Sequence, residues 1–191
     1  MKKRLNIQDF TEAASELGVE TEVIIAVCEV EAPMGGFFTD GQPTILFERH
    51  KFHQFTSGIY SGKHADISNP RPGGYIGGIR EHFRLQKAAE LNREAALKSA
   101  SWGKFQLMGF NYKLCGFSRL QYFINAMYSS EKLQLKAFVK FIKSVGLSDE
   151  LQRKDWKGFA RGYNGRAYYK NAYDRKIEKA YIRLKTYGFE G

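Results

Sequence analysis

The sequence predicts an α+β domain dominated by helices, and three observations carry that expectation. Apolar residues recur at helical spacing through most of the chain. One stretch, residues 33–52, breaks that period with turn residues around short runs of β-forming residues. A length of 191 residues with 43% hydrophobic content is enough to bury one core, and nothing in it demands a second domain.

Taken in order, the basic tip of MKKRLNIQDFTEAASELG has no apolar run behind it, so it reads as neither a secretory signal nor an anchor. A first helix is expected over residues 9–17, stopped by Gly18, and a second over residues 20–31. In the second, at about 100° per residue, Val23, Ile24, Ala26, Val27 and Val30 share one arc, with Glu31 at its margin and Glu29 on the opposite side. Pro33-Met34-Gly35-Gly36 then ends the helix. A carboxyl among valines loses solvation of its charged form, and the negative end of its own helix works in the same direction, so both raise its pKa. A carboxylic acid kept protonated near neutral pH is what a general acid requires to protonate a poor leaving group such as a sugar oxygen. The bland alternative is a Glu at a helix end that reaches out to water.

Asp40-Gly41, between Phe37-Phe38 and Ile45-Leu46-Phe47, reads as a hairpin tip, which embeds a small sheet among helices. Residues 57–78 are rich in Gly, Pro and Ser and too long for a mere connection. A helix is expected over residues 79–98. Ser118 and Ser130 read as caps of two more helices, the second with Leu133, Phe138 and Phe141 inward, and Ser148 as the cap of a helix through Trp156 and Phe159. The last helix follows Gly162-Tyr163-Asn164-Gly165. Its Tyr169, Tyr173, Ile177, Tyr181 and Leu184 read as core, and Arg175, Lys176, Lys179, Arg183 and Lys185 as a basic outer face.

The formal net charge of +10 favours an anionic partner, whether nucleic acid or an acidic envelope polymer. Cys28 and Cys115 are isolated and read as buried thiols. Glu48, His50 and His53 lie close in sequence, but HExxH is missing and alternate strand residues diverge, so no metal or other cofactor is expected. Cys115 has no recognisable surround for a nucleophile paired with His. A basic, aromatic-rich binding module accounts for the charge but not for Glu31, and no helix-turn-helix, zinc-finger or RNP pattern supports nucleic acid as partner.

Three segments break the local pattern together: VCEVEAPMGGFFTDGQPTILFERHKF (27–52), SASWGKFQLMGFNYKLCGF (99–117) and FARGYNGRAYYKNAY (159–173). In this order they resemble the N-acetylmuramidase domain of phage endolysins, a relative of goose-type lysozymes and soluble lytic transglycosylases. The likeness runs from about Thr21 to Tyr187. It implies a lysozyme-like fold with a small sheet beside the catalytic helix, and cleavage of the β-1,4 bond between N-acetylmuramic acid and N-acetylglucosamine in peptidoglycan.

Residue by residue, the family's acid falls on Glu31, followed here by Ala32 where many relatives have Ser. The Gly-Leu-Met-Gln element of the transglycosylases corresponds to Gly103-Lys104-Phe105-Gln106, and Tyr-Asn to Tyr163-Asn164. Gln106, Met108, Tyr163 and Asn164 are thereby expected around the scissile bond. Trp102 and Tyr163 offer flat surface for a pyranose ring, although Trp102, like Phe105, reads more readily as core, and Gly103 and Gly109 allow close approach of backbone to ligand. A second carboxylate, if there is one, is Glu48 on the sheet or Asp40 at the hairpin tip. Without one, a single acid works with assistance from the substrate, up to closure of a 1,6-anhydro product as in lytic transglycosylases. The 57–78 loop is expected to cover the glycan cleft. The resemblance also implies a monomeric endolysin of one catalytic domain, residues 1–191, acting on peptidoglycan strands. It would accumulate in the host cytoplasm until a holin releases it, its basic last helix touching the anionic envelope.

Overall fold

The computed structural model describes residues 4–32, 35–165 and 168–188. The Pro33-Met34 half of the expected turn and the first three residues of the basic tip lie outside them. Helix α1 (Ile7–Leu17) begins two residues before the expected start because Asn6, not Asp9, is the cap: Asn6 and Asp9 bond each other's backbone N–H in a capping box, and Gly18 closes the helix at φ 68°.

Helix α2 (Thr21–Glu31) differs from the expected one-sided arc. Val23 to Cys28 are six consecutive buried residues, so the helix is buried all round. It packs against α1 on one side and the C-terminal helix α9 (Tyr173–Tyr187) on another. Burying a whole helix leaves its last turn as the first place a charge can sit, and Glu31 occupies it.

The sheet has three antiparallel strands in the order β1 (Ile45–Phe47), β2 (Ala100–Trp102) and β3 (Leu107–Met108), with Ile45 opposite Trp102 and Ser101 opposite Met108. The expected pairing of 37–38 with 45–47 is corrected. The turn at Asp40-Gly41 is closed by an isolated bridge, Phe37 to Pro43, made by the Phe38 N–H on the Gln42 carbonyl and the Thr44 N–H on the Gly36 carbonyl. β1 pairs instead with residues 53 to 57 positions downstream.

Glu48 ends β1 and leads into α3 (Arg49–Phe55). His50 and His53 are therefore on a helix, not on the strand the sequence reading assumed. Residues 57–77 are bound along their length: Arg49 donates to the carbonyls of Arg71 and Pro72, Tyr60 donates to Leu91, Ile67 and Ser68 are fully buried, and Ile76 and Gly77 donate to Glu81. These bonds anchor the segment at several points to α3 and to the helix that follows it.

Helix α4 (Glu81–Lys98) is kinked at Asn92, whose side chain re-caps the second half by accepting from Ala95. Helix α5 (Leu120–Ser129) starts without the Ser118 cap, whereas Ser130 does cap α6 (Glu131–Ser144). On α6 Phe138 points inward but Leu133 is 36% exposed. The single helix expected after Ser148 is two, α7 (Ser148–Gln152) and α8 (Trp156–Asn164), because Asp155 caps a new start by accepting from Gly158. On α9 Ile177 and Leu184 are buried, while Tyr169 precedes the helix and is 64% exposed.

Candidate active site

Two helix ends meet at the site. Glu31 is the last residue of α2 and Asn164 the last of α8, and Asn164 Nδ2 donates to Glu31 Oε1 across 2.8 Å. Burial pushes the Glu31 carboxyl up to about 7, and the Asn164 N–H pulls part of the way back. No neighbouring charge figures among the causes. The negative ends of both helix dipoles add to the disfavour of a carboxylate.

Tyr163 is a wall of the same place. Its hydroxyl donates to the Phe105 carbonyl at 2.8 Å, its ring stacks on Phe159 at 5.7 Å, and Phe138 meets it edge-on at 5.5 Å. Burial, and then the Glu31 carboxyl, hold its phenol well above the ordinary range. The ring is thus used for packing, and its hydroxyl ties the 103–106 turn to α8. Gln106, at φ +48°, closes that turn: its amide donates to Gly103 at 2.8 Å and accepts from Ser101 at 2.7 Å, with its outer side exposed. Met108 follows on β3, half-buried.

The remaining candidates each have their own surroundings. Trp102 is 1% exposed, donates to Leu97 and lies against Tyr128, so its indole belongs to the core and has no face for a sugar. Gly109 is needed because a Cβ there would sit 2.0 Å from the Leu97 carbonyl oxygen, and Gly103 because a Cβ would meet Gln134 at 2.6 Å. Both glycines serve close approach within the protein. The two candidate second carboxylates are engaged by other partners. Glu48 accepts from the Tyr75 hydroxyl at 2.9 Å and lies 3.1 Å from His50 Nδ1, and Asp40 accepts twice from Gln42 in solvent, bonds that pull its carboxyl below the usual range.

Side chains the sequence reading passed over hold the site in shape. Glu131 accepts from the Gly36 N–H at 2.8 Å; Gln134 donates to the carbonyls of Gly36 and Met127 and accepts from the Lys104 N–H. One turn of α6 therefore clamps both the chain leaving Glu31 and the Gly103-Lys104 turn. The signal was present: Glu131 and Gln134 interrupt an inner stripe that continues with Leu135, Phe138 and Ile142. Glu81 is fully buried and accepts from the N–H groups of Phe47, Ile76 and Gly77 and from Arg84, so it joins β1 to α4 and to the end of the long loop.

Chemically, the arrangement presents one acid, largely screened from water, able to hold a proton near neutral pH and oriented by an amide. A family model, N-acetylmuramidase, matches residues 20–185. Among solved structures, the crystal structure of Burkholderia AP3 phage endolysin matches with a TM-score of 0.92 and 38% identity, over 96% of this chain and 72% of that one. No curated protein matches. None of the described helices is long and apolar enough to cross a membrane.

Proposed function

The chain belongs to the N-acetylmuramidase family of glycoside hydrolases, and from that premise we propose that Glu31 is the general acid that cleaves the β-1,4 bond between N-acetylmuramic acid and N-acetylglucosamine. The observation that carries the reading is the Glu31 carboxyl at the junction of α2 and α8, raised to about 7 by burial and held by Asn164. Protonated, it donates to the glycosidic oxygen as the bond to the leaving sugar breaks. Once ionised, it accepts the proton of the attacking hydroxyl, which regenerates the acid. Asn164 keeps the carboxyl in one rotamer through both steps. With its N–H groups donated to Gly103 and Thr44, Gln106 offers the second lone pair of its amide oxygen to the N–H of the substrate's N-acetyl group, and Met108 lines the cleft beside it.

In this reading Glu31 acts as the single acid, with Glu48 engaged by Tyr75 and Asp40 by Gln42. The acceptor is then water, giving reducing muramic acid, or the substrate's own hydroxyl, giving the 1,6-anhydro sugar of a lytic transglycosylase. Mass spectrometry of the released fragments separates the two, and the family assignment favours water. The matched structure is that of a phage endolysin. The same role is proposed for this chain, with release to the wall by a holin and the exposed Arg175, Lys176 and Lys179 of α9 meeting the anionic envelope.

The test is clearance of outer-membrane-permeabilised Gram-negative cells by the wild type and by Glu31→Gln. The variant should be slower by about 10² to 10⁴, the range for loss of a general acid. A wild type that fails to clear the cells, or a variant that clears them as fast, refutes the assignment.

A further inference from the structure

The outward face of α8 continues away from Glu31 as a basic pocket. Lys157, Arg161 and Asn164 are spaced four and three residues apart, which brings them within an arc of about 60°. Asn164 stands at the Glu31 end. Lys157 and Arg161, with Asp155, Gly158 and the buried ring of Tyr168, line an open cavity of about 440 Å³. Among the described residues neither cation has an ion-pair partner, in contrast to Lys104, Lys132, Lys154, Arg183 and Lys185 nearby in the fold or the chain. Asp155, the cap of α8, is the one acidic side chain in the lining. Two cations without ion-pair partners among the described residues outnumber it, on the helix face that ends at Asn164, and form a receptor for carboxylates.

Resting on the muramidase reading, we propose that this pocket binds the peptide stem of the muramic acid at the scissile bond, with Lys157 and Arg161 on its carboxylates. The lengths agree. At 1.5 Å per residue, Arg161 lies about 4.5 Å and Lys157 about 10 Å along the axis from Asn164. An extended stem advances about 3.3 to 3.6 Å per residue, so its first two or three residues reach from the lactyl group past both cations. The enzyme is thereby a reader of peptide-bearing glycan in preference to bare glycan.

The experiment measures binding of the Glu31→Gln protein, which holds strands without cutting them, to intact sacculi and to glycan strands stripped of peptide by an amidase. The protein should prefer the intact strands, and Lys157→Gln with Arg161→Gln should reduce that preference roughly fivefold, the scale of two exposed charge contacts. Lys63→Gln with Lys113→Gln, which removes the same charge elsewhere on the surface, should not alter the preference, and Lys157→Arg with Arg161→Lys should keep it. No preference in the parent, equal weakening on both polymers, the same loss in the Lys63 and Lys113 variant, or a loss in the charge-conserving variant each overturns the proposal. Turnover is not needed for this readout. A wild type that releases fragments from neither polymer sinks the muramidase reading, while the binding ratio still decides the pocket.

Discussion

Asn164 donates to Glu31 from a position 133 residues away in the chain, and that single bond joins the C-terminal ends of α2 and α8. It acts on the acid in two opposed ways. It orients the carboxyl, which favours proton delivery, and it stabilises the ionised form, which lowers the pKa that burial has raised. Asn164→Ala removes both effects. Turnover should fall about tenfold, the worth of a hydrogen bond of ordinary strength, while the alkaline limb of the pH profile moves upward. A slower enzyme whose limb stays in place would mean that Asn164 does not bond the ionised carboxyl.

The Glu31 carboxyl also carries a stability signature. Its pKa is about 7 in the folded protein and near 4.3 in an unfolded chain, so between those values the folded state holds the extra proton. Its contribution is fully present below about pH 4 and is lost as pH rises through 7. Beyond that point an ionised Glu31 costs about 3 to 4 kcal/mol. Glu31→Gln keeps an acceptor for Asn164 and removes the charge. The variant should therefore melt higher than the wild type at pH 8.5 and about equally at pH 4.5, in scanning calorimetry. Equal melting temperatures at both pH values would show that the carboxyl is not desolvated.

How much of this was legible from residues alone follows from what each residue type can signal. Glu31 stood out because a carboxylate at the end of an apolar helix contradicts its surroundings. The residues that hold it did not stand out. Asn164 was singled out by a motif and not by any local contradiction, since an amide before Gly is an ordinary helix end. Trp102 and Tyr163 offered themselves as sugar surfaces and as core alike, because an aromatic ring serves either, and only the packing of Phe138, Phe159 and Tyr128 around them decides. Gly103 and Gly109 announced a close approach correctly; what approaches is the protein itself. Glu81 was invisible because a Glu in the first turn of a helix is the commonest place for one. The sheet partner of Ile45–Phe47 was hidden by distance in the chain, which no local pattern reports.

Glu48 separates a one-acid from a two-acid enzyme. Its carboxylate is engaged by Tyr75 and flanked by His50, and it does not figure among the influences on Glu31. Glu48→Gln should keep kcat within about threefold of the wild type, as expected for a polar change outside the reacting groups. The same variant has a local readout. Burial and then the Glu48 carboxylate push the Tyr75 phenol up to about 12, so its titration by NMR should move down. A folded Glu48→Gln protein slowed a hundredfold or more would restore Glu48 as a second catalytic group.

Glu81 tests whether a buried charge holds the sheet to α4. Burial alone would raise its carboxyl, but the N–H groups of Gly77, Phe47 and Ile76, together with Arg84, outweigh it and hold the group below the usual range. Its stabilisation is thus present above the unfolded pKa and lost as pH falls through the folded one. Glu81→Gln puts an NH2 among four donors and leaves Arg84 without its counter-ion. The cost should be about 3 kcal/mol, which lowers the melting temperature by roughly 6 to 12 °C in a domain of this size, and the acid-side loss of stability should shrink. An isolated ion pair is rescued when both partners become apolar. Here Glu81→Leu with Arg84→Met should not recover, because the N–H groups of Phe47, Ile76 and Gly77 remain buried without an acceptor. Recovery to near wild-type stability in that double variant would reduce Glu81 to a partner of Arg84 and remove it as the joint between β1, the long loop and α4.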